Sequence, residues 1–176
     1  MILQKGKNAN AVVIKEKALS AGLGWDTGKS SEDLDLLALC LNDEGKLESL
    51  KNVVDCDNLD IEGIHHTGDN KTGAGEFDDE MLIINLEKVS ESIQGILFIV
   101  TIEGNDTFKQ VSNAEFNLAE TTFGKEYVRV NFTNTCADES TVIVGSLSRD
   151  GDVWSYISVL EGFKGDFKAL CSKYGY

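Results

Sequence analysis

Apolar residues along this chain fall in short runs that alternate with polar ones more often than they repeat at helical spacing. Residues 11–14 and 19–25 are two short strand candidates, and Asp33-Leu34-Asp35-Leu36-Leu37-Ala38-Leu39-Cys40-Leu41 is a longer third. Residues 52–54 and 62–66 are weaker candidates, separated by the acidic loop 55–60. The run 81–86 reads as a strand entering a core, and 95–103 is apolar almost without a break, as a buried strand would be. In residues 127–132, Val128, Val130 and Phe132 share one face while Tyr127, Arg129 and Asn131 share the other. Residues 141–147 and 153–160 follow, joined by Ser148-Arg149-Asp150-Gly151-Asp152, a hairpin turn carrying Asp-Gly. Residues 108–118 keep to neither period and receive no assignment. Ser90, within 87–94, is placed to cap a single helical turn. A helix is predicted over 163–174, where Phe163, Phe167, Leu170, Cys171 and Tyr174 recur at helical spacing. Many short strands with turn signals between them, and no regular helix–strand alternation, predict an all-β sandwich.

Length agrees with this: 176 residues fit one domain, residues 1–176, with a sizeable core. Hydrophobic residues at 41% and charged residues at 26% are ordinary for a folded domain. Charge adds more. Thirty Asp and Glu against sixteen Lys and Arg give a formal charge of −14, which argues against nucleic-acid backbones as a partner and agrees with cation binding. Cys40, Cys56, Cys136 and Cys171 are widely spaced, with neither CxxC nor a zinc pattern. Neither a signal peptide nor a transmembrane segment is visible, apolar runs such as 36–41 and 96–100 being far too short to cross a membrane. The expectation is a reduced, cytoplasmic protein.

Candidate chemistry concentrates between Asp55 and Glu80. Nine carboxylates fall there (Asp55, Asp57, Asp60, Glu62, Asp69, Glu76, Asp78, Asp79 and Glu80), against one lysine, Lys71. Gly68, Gly73 and Gly75 let the backbone take positive φ and turn its carbonyls inward. Carboxylates, the Asn70 amide and freed carbonyls on a tight loop are the donors of a hard cation, and Ca²⁺ takes six to eight such oxygens. The competing reading is a solvated turn. Against it stand Asp78, Asp79 and Glu80, whose adjacency costs repulsion unless a cation or a basic partner relieves it. The loop is not an EF-hand: counted from Asp69, Ala74 falls where the obligatory glycine belongs, and a strand pattern follows. Asp33 and Asp35 share one strand face. They are either solvent-facing or metal ligands from a second segment.

Other short matches fail on their own terms. Gly28-Lys29-Ser30 resembles the end of a phosphate loop, but the glycine required five positions earlier is Leu23. Asp26-Thr27-Gly28 spells the aspartic-protease triplet without a second copy. His65 and His66 are adjacent on a strand and point to opposite faces, so one is expected packed and one solvated. Cys56, between Asp55 and Asp57, has surroundings that raise its pKa. Arg149 and Trp154 read as a packed Trp with a surface Arg, or as the lining of a ligand site.

Four segments occur in a telling order: Gly22-Leu23-Gly24-Trp25-Asp26, Asp33-Leu34-Asp35, the series Gly68-Asp69-Asn70, Thr72-Gly73, Gly75 and Asp78-Asp79-Glu80, and then Arg149 with Trp154. By these residues the chain resembles the TerD-like tellurium-resistance and stress-protein family over nearly its full length. The resemblance implies a sandwich of two antiparallel sheets that binds Ca²⁺ through its acidic loops. It implies a cytoplasmic role in stress response, including tellurite and other chemical insults, with protein partners at the inner face of the membrane. Carried over position by position, Asp33, Asp35, Asp69, Asn70, Asp78, Asp79 and Glu80 are the implied calcium ligands, with Gly68, Gly73 and Gly75 shaping the loop. Where the family pattern has Asp-Gly, this chain has Glu76-Phe77. The expected function is a non-enzymatic Ca²⁺-binding stress-response protein. The alternative is a small-ligand or nucleotide-binding module on the same sandwich, with metal assisting. An acid–base enzyme ranks last, because no nucleophile–base pair is evident.

Overall fold

The computed structural model describes residues 10–26, 32–73, 78–104, 106–121 and 124–176. Twelve strands form among them. The first six are β1 (Val12–Ile14), β2 (Ala18–Asp26), β3 (Leu34–Leu41), β4 (Val53–Val54), β5 (Asp60–Ile61) and β6 (Ile64–His66). They are followed by β7 (Glu80–Asn85), β8 (Gly95–Ile102), β9 (Asn113–Glu120), β10 (Glu126–Asn131), β11 (Thr141–Asp150) and β12 (Val153–Phe163). A single α-helix among the described residues, α1 (Phe167–Lys173), follows β12.

Two six-stranded sheets result, in the orders β1-β12-β11-β8-β3-β4 and β10-β9-β2-β7-β6-β5. Every pairing is antiparallel. The all-β sandwich expected from the short alternating runs is what forms. Its core lies between the sheets, where Phe98 meets Phe116 at 5.3 Å and Tyr156 at 6.4 Å between ring centroids.

The middle of the first sheet, at β3 and β8, is buried on both faces. In β3, Leu34, Leu36, Ala38 and Cys40 point into the sandwich, while Leu37, Leu39 and Leu41 point outward to a second cluster. That cluster includes Leu97 and Ile99 of β8 and Leu170, Cys171 and Tyr174 from and beside α1. Two covered faces explain why β3 and β8 are apolar nearly without alternation.

Three local expectations need correction. The unassigned stretch 108–118 holds a one-turn 3₁₀ helix, Phe108–Gln110, and most of β9, which lies inside the second sheet between β10 and β2. Its Ala114, Phe116 and Leu118 do alternate inward, but Asn117 and Glu120 are buried too and blur the pattern. The helix predicted over 163–174 begins only at Phe167. Phe163 remains paired with Thr141 in the sheet, and Asp166 caps the helix by accepting the Ala169 N–H at 2.8 Å. Residues 87–94 form hydrogen-bonded turns, with Ile93 N–H donating to the Ser90 carbonyl, and no helix capped by Ser90.

The β11–β12 hairpin turns tightly through Gly151, at φ 59°, with Asp150 opposite Val153. Just before the turn, the Arg149 guanidinium lies 4.7 Å from the Trp154 ring centroid. It also donates to the carbonyls of Leu86, Val89 and Ser90 at 3.1–3.4 Å. Arg149 is therefore a clamp holding the β7–β8 connection, its donors engaged by the chain itself. A lysine has neither the planar fork nor enough fixed donors to replace it. Arg149→Lys is expected to cost about 1–3 kcal/mol in denaturant unfolding, because part-buried carbonyls lose their donors. All four cysteines are free thiols. Among the described residues no helix is long and apolar enough to cross a membrane.

Candidate metal centre

The centre grows out of a gap in the first sheet. Strand β3 pairs with β8 along its whole length, but on its other side β4 covers it only at Ala38 and Leu39. The earlier part of β3 is an open edge whose backbone groups need partners once buried. Side chains from the second sheet supply them. The Leu36 N–H donates to Glu80 Oε2 at 2.8 Å, and His66 Nε2 donates to the Leu36 carbonyl at 3.1 Å. Both side chains are fully buried. Glu80, the first residue of β7, is thus carried across the sandwich to the neighbourhood of Asp35.

Asp69 arrives from the loop between β6 and β7. One carboxylate oxygen each from Asp35, Asp69 and Glu80 lie within 4.8 Å of one another, Glu80 deepest and Asp69 at the solvent side. Glu80 Oε1 accepts the Asn70 N–H at 3.2 Å. Lys71 Nζ lies 3.3 Å from Asp69 Oδ2, but it is solvent-exposed and bonded to that one acid. Just before β3, Asp33 Oδ1 is buried with no hydrogen-bond partner.

The electrostatic cost of this arrangement is visible in the acids themselves. Burial, reinforced by Glu80, Asp33, Glu103 and Asp69, pushes Asp35 up to about 7. Asp33 is raised as well, by burial and then by Asp69 and Glu103. An acid whose folded pKa lies above its unfolded value binds more protons when folded, so stability falls as pH rises between the two values. Metal-free protein should accordingly lose melting temperature between about pH 4 and pH 7. Melts of metal-stripped samples across that range check this, and a rise would contradict it. The donor set is all carboxylate oxygen, crowded and short of internal cations, and the orphaned buried oxygen of Asp33 lies two residues along the chain from Asp35. It fits a hard divalent cation such as Ca²⁺.

The rest of the signature shapes the loop. Asp79 Oδ2 accepts the Trp25 N–H at 3.0 Å and its Oδ1 accepts the Asn70 side-chain amide at 2.9 Å. Asn70 Oδ1 accepts from both the N–H and the hydroxyl of Thr72. Asp78 Oδ1 accepts the Asn117 amide at 2.7 Å, and its carboxylate lies against Gly22, where a Cβ would collide with it. Asp78 and Asp79 therefore face β2 and β9, while Asn70 links the two places, its side-chain amide on Asp79 and its backbone N–H on Glu80. Gly73, at φ 54°, leaves no room for a side chain, since a Cβ there would meet Trp25 Nε1 at 2.5 Å and the Trp25 carbonyl at 2.8 Å. Gly73→Ala should cost about 1–3 kcal/mol through left-handed strain and this collision. Chemical denaturation reads the loss. Gly75, like Glu76-Phe77 and Gly28-Lys29-Ser30, lies outside the described residues.

His65 is exposed and pairs with Asp60 at 2.7 Å, while His66 is the packed member. Cys56 Sγ sits 3.9 Å from Asp35 Oδ1, and its thiol is pushed up to about 11 by burial and by Asp35, Asp57 and Asp55. Three contributors were not singled out from sequence. Asn117 lay in the unassigned stretch. Trp25 enters only as part of the Gly22–Asp26 segment of the family signature, without a role of its own. His66 was set aside as a ligand, although its place at the inward-facing end of residues 62–66, just before Gly68, was a usable signal.

Comparisons with known proteins agree with this architecture. The TerD domain family model matches residues 1–174. The tellurium resistance protein TerD of Serratia marcescens is 33% identical over 184 residues, covering 98% of this chain and 96% of its own. General stress protein 16U of Bacillus subtilis (strain 168) is 32% identical over 164 residues, covering 88% and 85%. A crystal structure of a TerD homologue from Streptomyces coelicolor A3(2) shares the fold, with a TM-score of 0.72 at 22% identity over 88% of this chain and 95% of that one. The sequence signature, the sandwich and these matches converge: the chain belongs to the TerD domain family of tellurium-resistance and stress proteins.

Proposed function

We propose that this chain is a non-enzymatic, cytoplasmic Ca²⁺-binding protein of the stress response. Asp35, Asp69 and Glu80 are the primary ligands, and Asp33 lies beside them. The supporting observation is the convergence of three carboxylates from β3, β7 and the loop between β6 and β7 on one small volume. Chain segments that bring like charges together at a cost to the fold have a use for a counter-charge. A bound calcium ion supplies two positive charges and tolerates irregular oxygen coordination. The chain's own contribution is to hold the carboxylates in place. Glu80 is fixed by two backbone N–H groups, and Asp35 by its place in the sheet.

A nucleotide site has less support. The cavity of about 540 Å³ beside Asp35 is lined by Glu103, Asp106, Asp138 and Asp166 with Lys164, a surface that repels phosphate. Calorimetric titration of the EDTA-stripped protein tests the calcium reading. Saturable heat with Ca²⁺ and far weaker binding of Mg²⁺ is expected. Absence of calcium heat, or equal response to both ions, would overturn it.

A further inference from the structure

One imidazole touches every segment that brings a carboxylate to the cluster. His66 Nε2 donates to the Leu36 carbonyl at 3.1 Å, one residue from Asp35. His66 Nδ1 accepts the Gly68 N–H at 3.0 Å, one residue from Asp69. The Nε2 atom also lies 3.4 Å from Glu80 Oε2. One ring nitrogen accepts while the other donates, which assigns the neutral Nε2–H tautomer. The side chain therefore brings fixed directions and no charge to a site already short of positive charge.

His66 is itself rigidly held. It is fully buried, its backbone N–H donates to the Leu59 carbonyl at 2.8 Å, and β6 pairs it with Leu82 of β7. The ring spans the open edge of β3, the start of the acidic loop and the buried carboxylate at once. An apolar residue could fill the volume but could not fix these three segments relative to one another.

We infer that His66 is the positioning residue of the cation site, setting the spacing of Asp35, Asp69 and Glu80 without being a ligand. The inference rests on the calcium reading. It differs from a packing role, which would support the fold and leave calcium affinity in the folded protein unchanged.

Two variants each break one arm. In His66→Asn the amide oxygen can still accept from Gly68 but the Leu36 contact is lost. In His66→Gln the amide can still donate to Leu36 but the Gly68 contact is lost. Calorimetry with Ca²⁺, well below each melting temperature, should show affinity falling by about tenfold or more in both, the usual effect of removing a group that orients a metal ligand. Ile84→Val, a core change elsewhere on β7, should lower stability and leave affinity as in the wild type.

Wild-type affinity in folded His66→Asn and His66→Gln would overturn the inference while leaving the calcium reading intact. No calcium heat from the wild type would overturn both. Should the variants fail to fold, nitrogen NMR of the wild-type imidazole decides. An Nε2–H tautomer whose resonances move on calcium addition supports the inference. An Nδ1–H tautomer, or resonances indifferent to calcium, overturns it.

Discussion

Millimolar Ca²⁺ is expected to raise the melting temperature of the metal-stripped protein by roughly 5–10 °C, and Mg²⁺ by much less. The magnitude follows from linkage: a ligand that binds only the folded state adds about 2.7 kcal/mol when its free concentration exceeds Kd a hundredfold. The ion preference follows from the site. Three carboxylates from separate chain segments suit the irregular oxygen coordination of Ca²⁺ better than the near-ideal octahedron of Mg²⁺, and Mg²⁺ gives up its waters reluctantly. Asp69→Asn should remove most of the calcium-dependent gain, since Asp69 is one of the three clustered acids. The same change should leave the metal-free melting temperature level or raise it, because Asp69 is exposed and one repulsive charge is gone. Equal small shifts with both ions in the wild type would point to charge screening alone.

The largest effect of a single substitution should come from Glu80→Ala. Its carboxylate accepts the N–H groups of Leu36 and Asn70, and the side chain is fully buried. Truncation leaves two donors without acceptors, at about 1–3 kcal/mol each, and opens a cavity besides. A total loss of about 3–5 kcal/mol is expected from denaturant unfolding, among the largest values single changes produce. Glu80→Gln keeps an oxygen for one donor but turns an NH₂ toward the other, so its loss should be intermediate. A loss below about 0.5 kcal/mol for Glu80→Ala, the usual surface range, would contradict the role assigned to this carboxylate.

Much of the fold was legible because its devices are local. The β11–β12 hairpin declares itself by alternation around Asp150-Gly151, and β8 by an apolar run too short for a membrane and too continuous for one exposed face. Strand β9 was hidden because Asn117 and Glu120 are buried among its apolar residues, and Asn117 is buried as the partner of Asp78. The end of β12 was lost for a related reason. Phe163 fits the helical spacing of α1, but its pairing with Thr141 across the sheet prevails.

The candidate site was legible as a composition and not as a geometry. Nine acids against one lysine mark the region, yet a count does not show which of them meet. That depends on β4 being only two residues long, which leaves the edge of β3 open for Glu80 and His66. It depends also on Asn117 and the Trp25 N–H drawing Asp78 and Asp79 the other way. Adjacent residues of one signature thus serve two places, and only the pairing of strands distant in sequence decides which.

The central claim is that Asp35, Asp69 and Glu80 together hold one calcium ion between the two sheets. A crystal structure of the calcium-loaded protein tests it most directly. The expected result is an ion within roughly 2.3–2.6 Å of an oxygen from each of these three carboxylates. Well-defined calcium bound elsewhere, with the three carboxylates bonded only to protein or water, would contradict it.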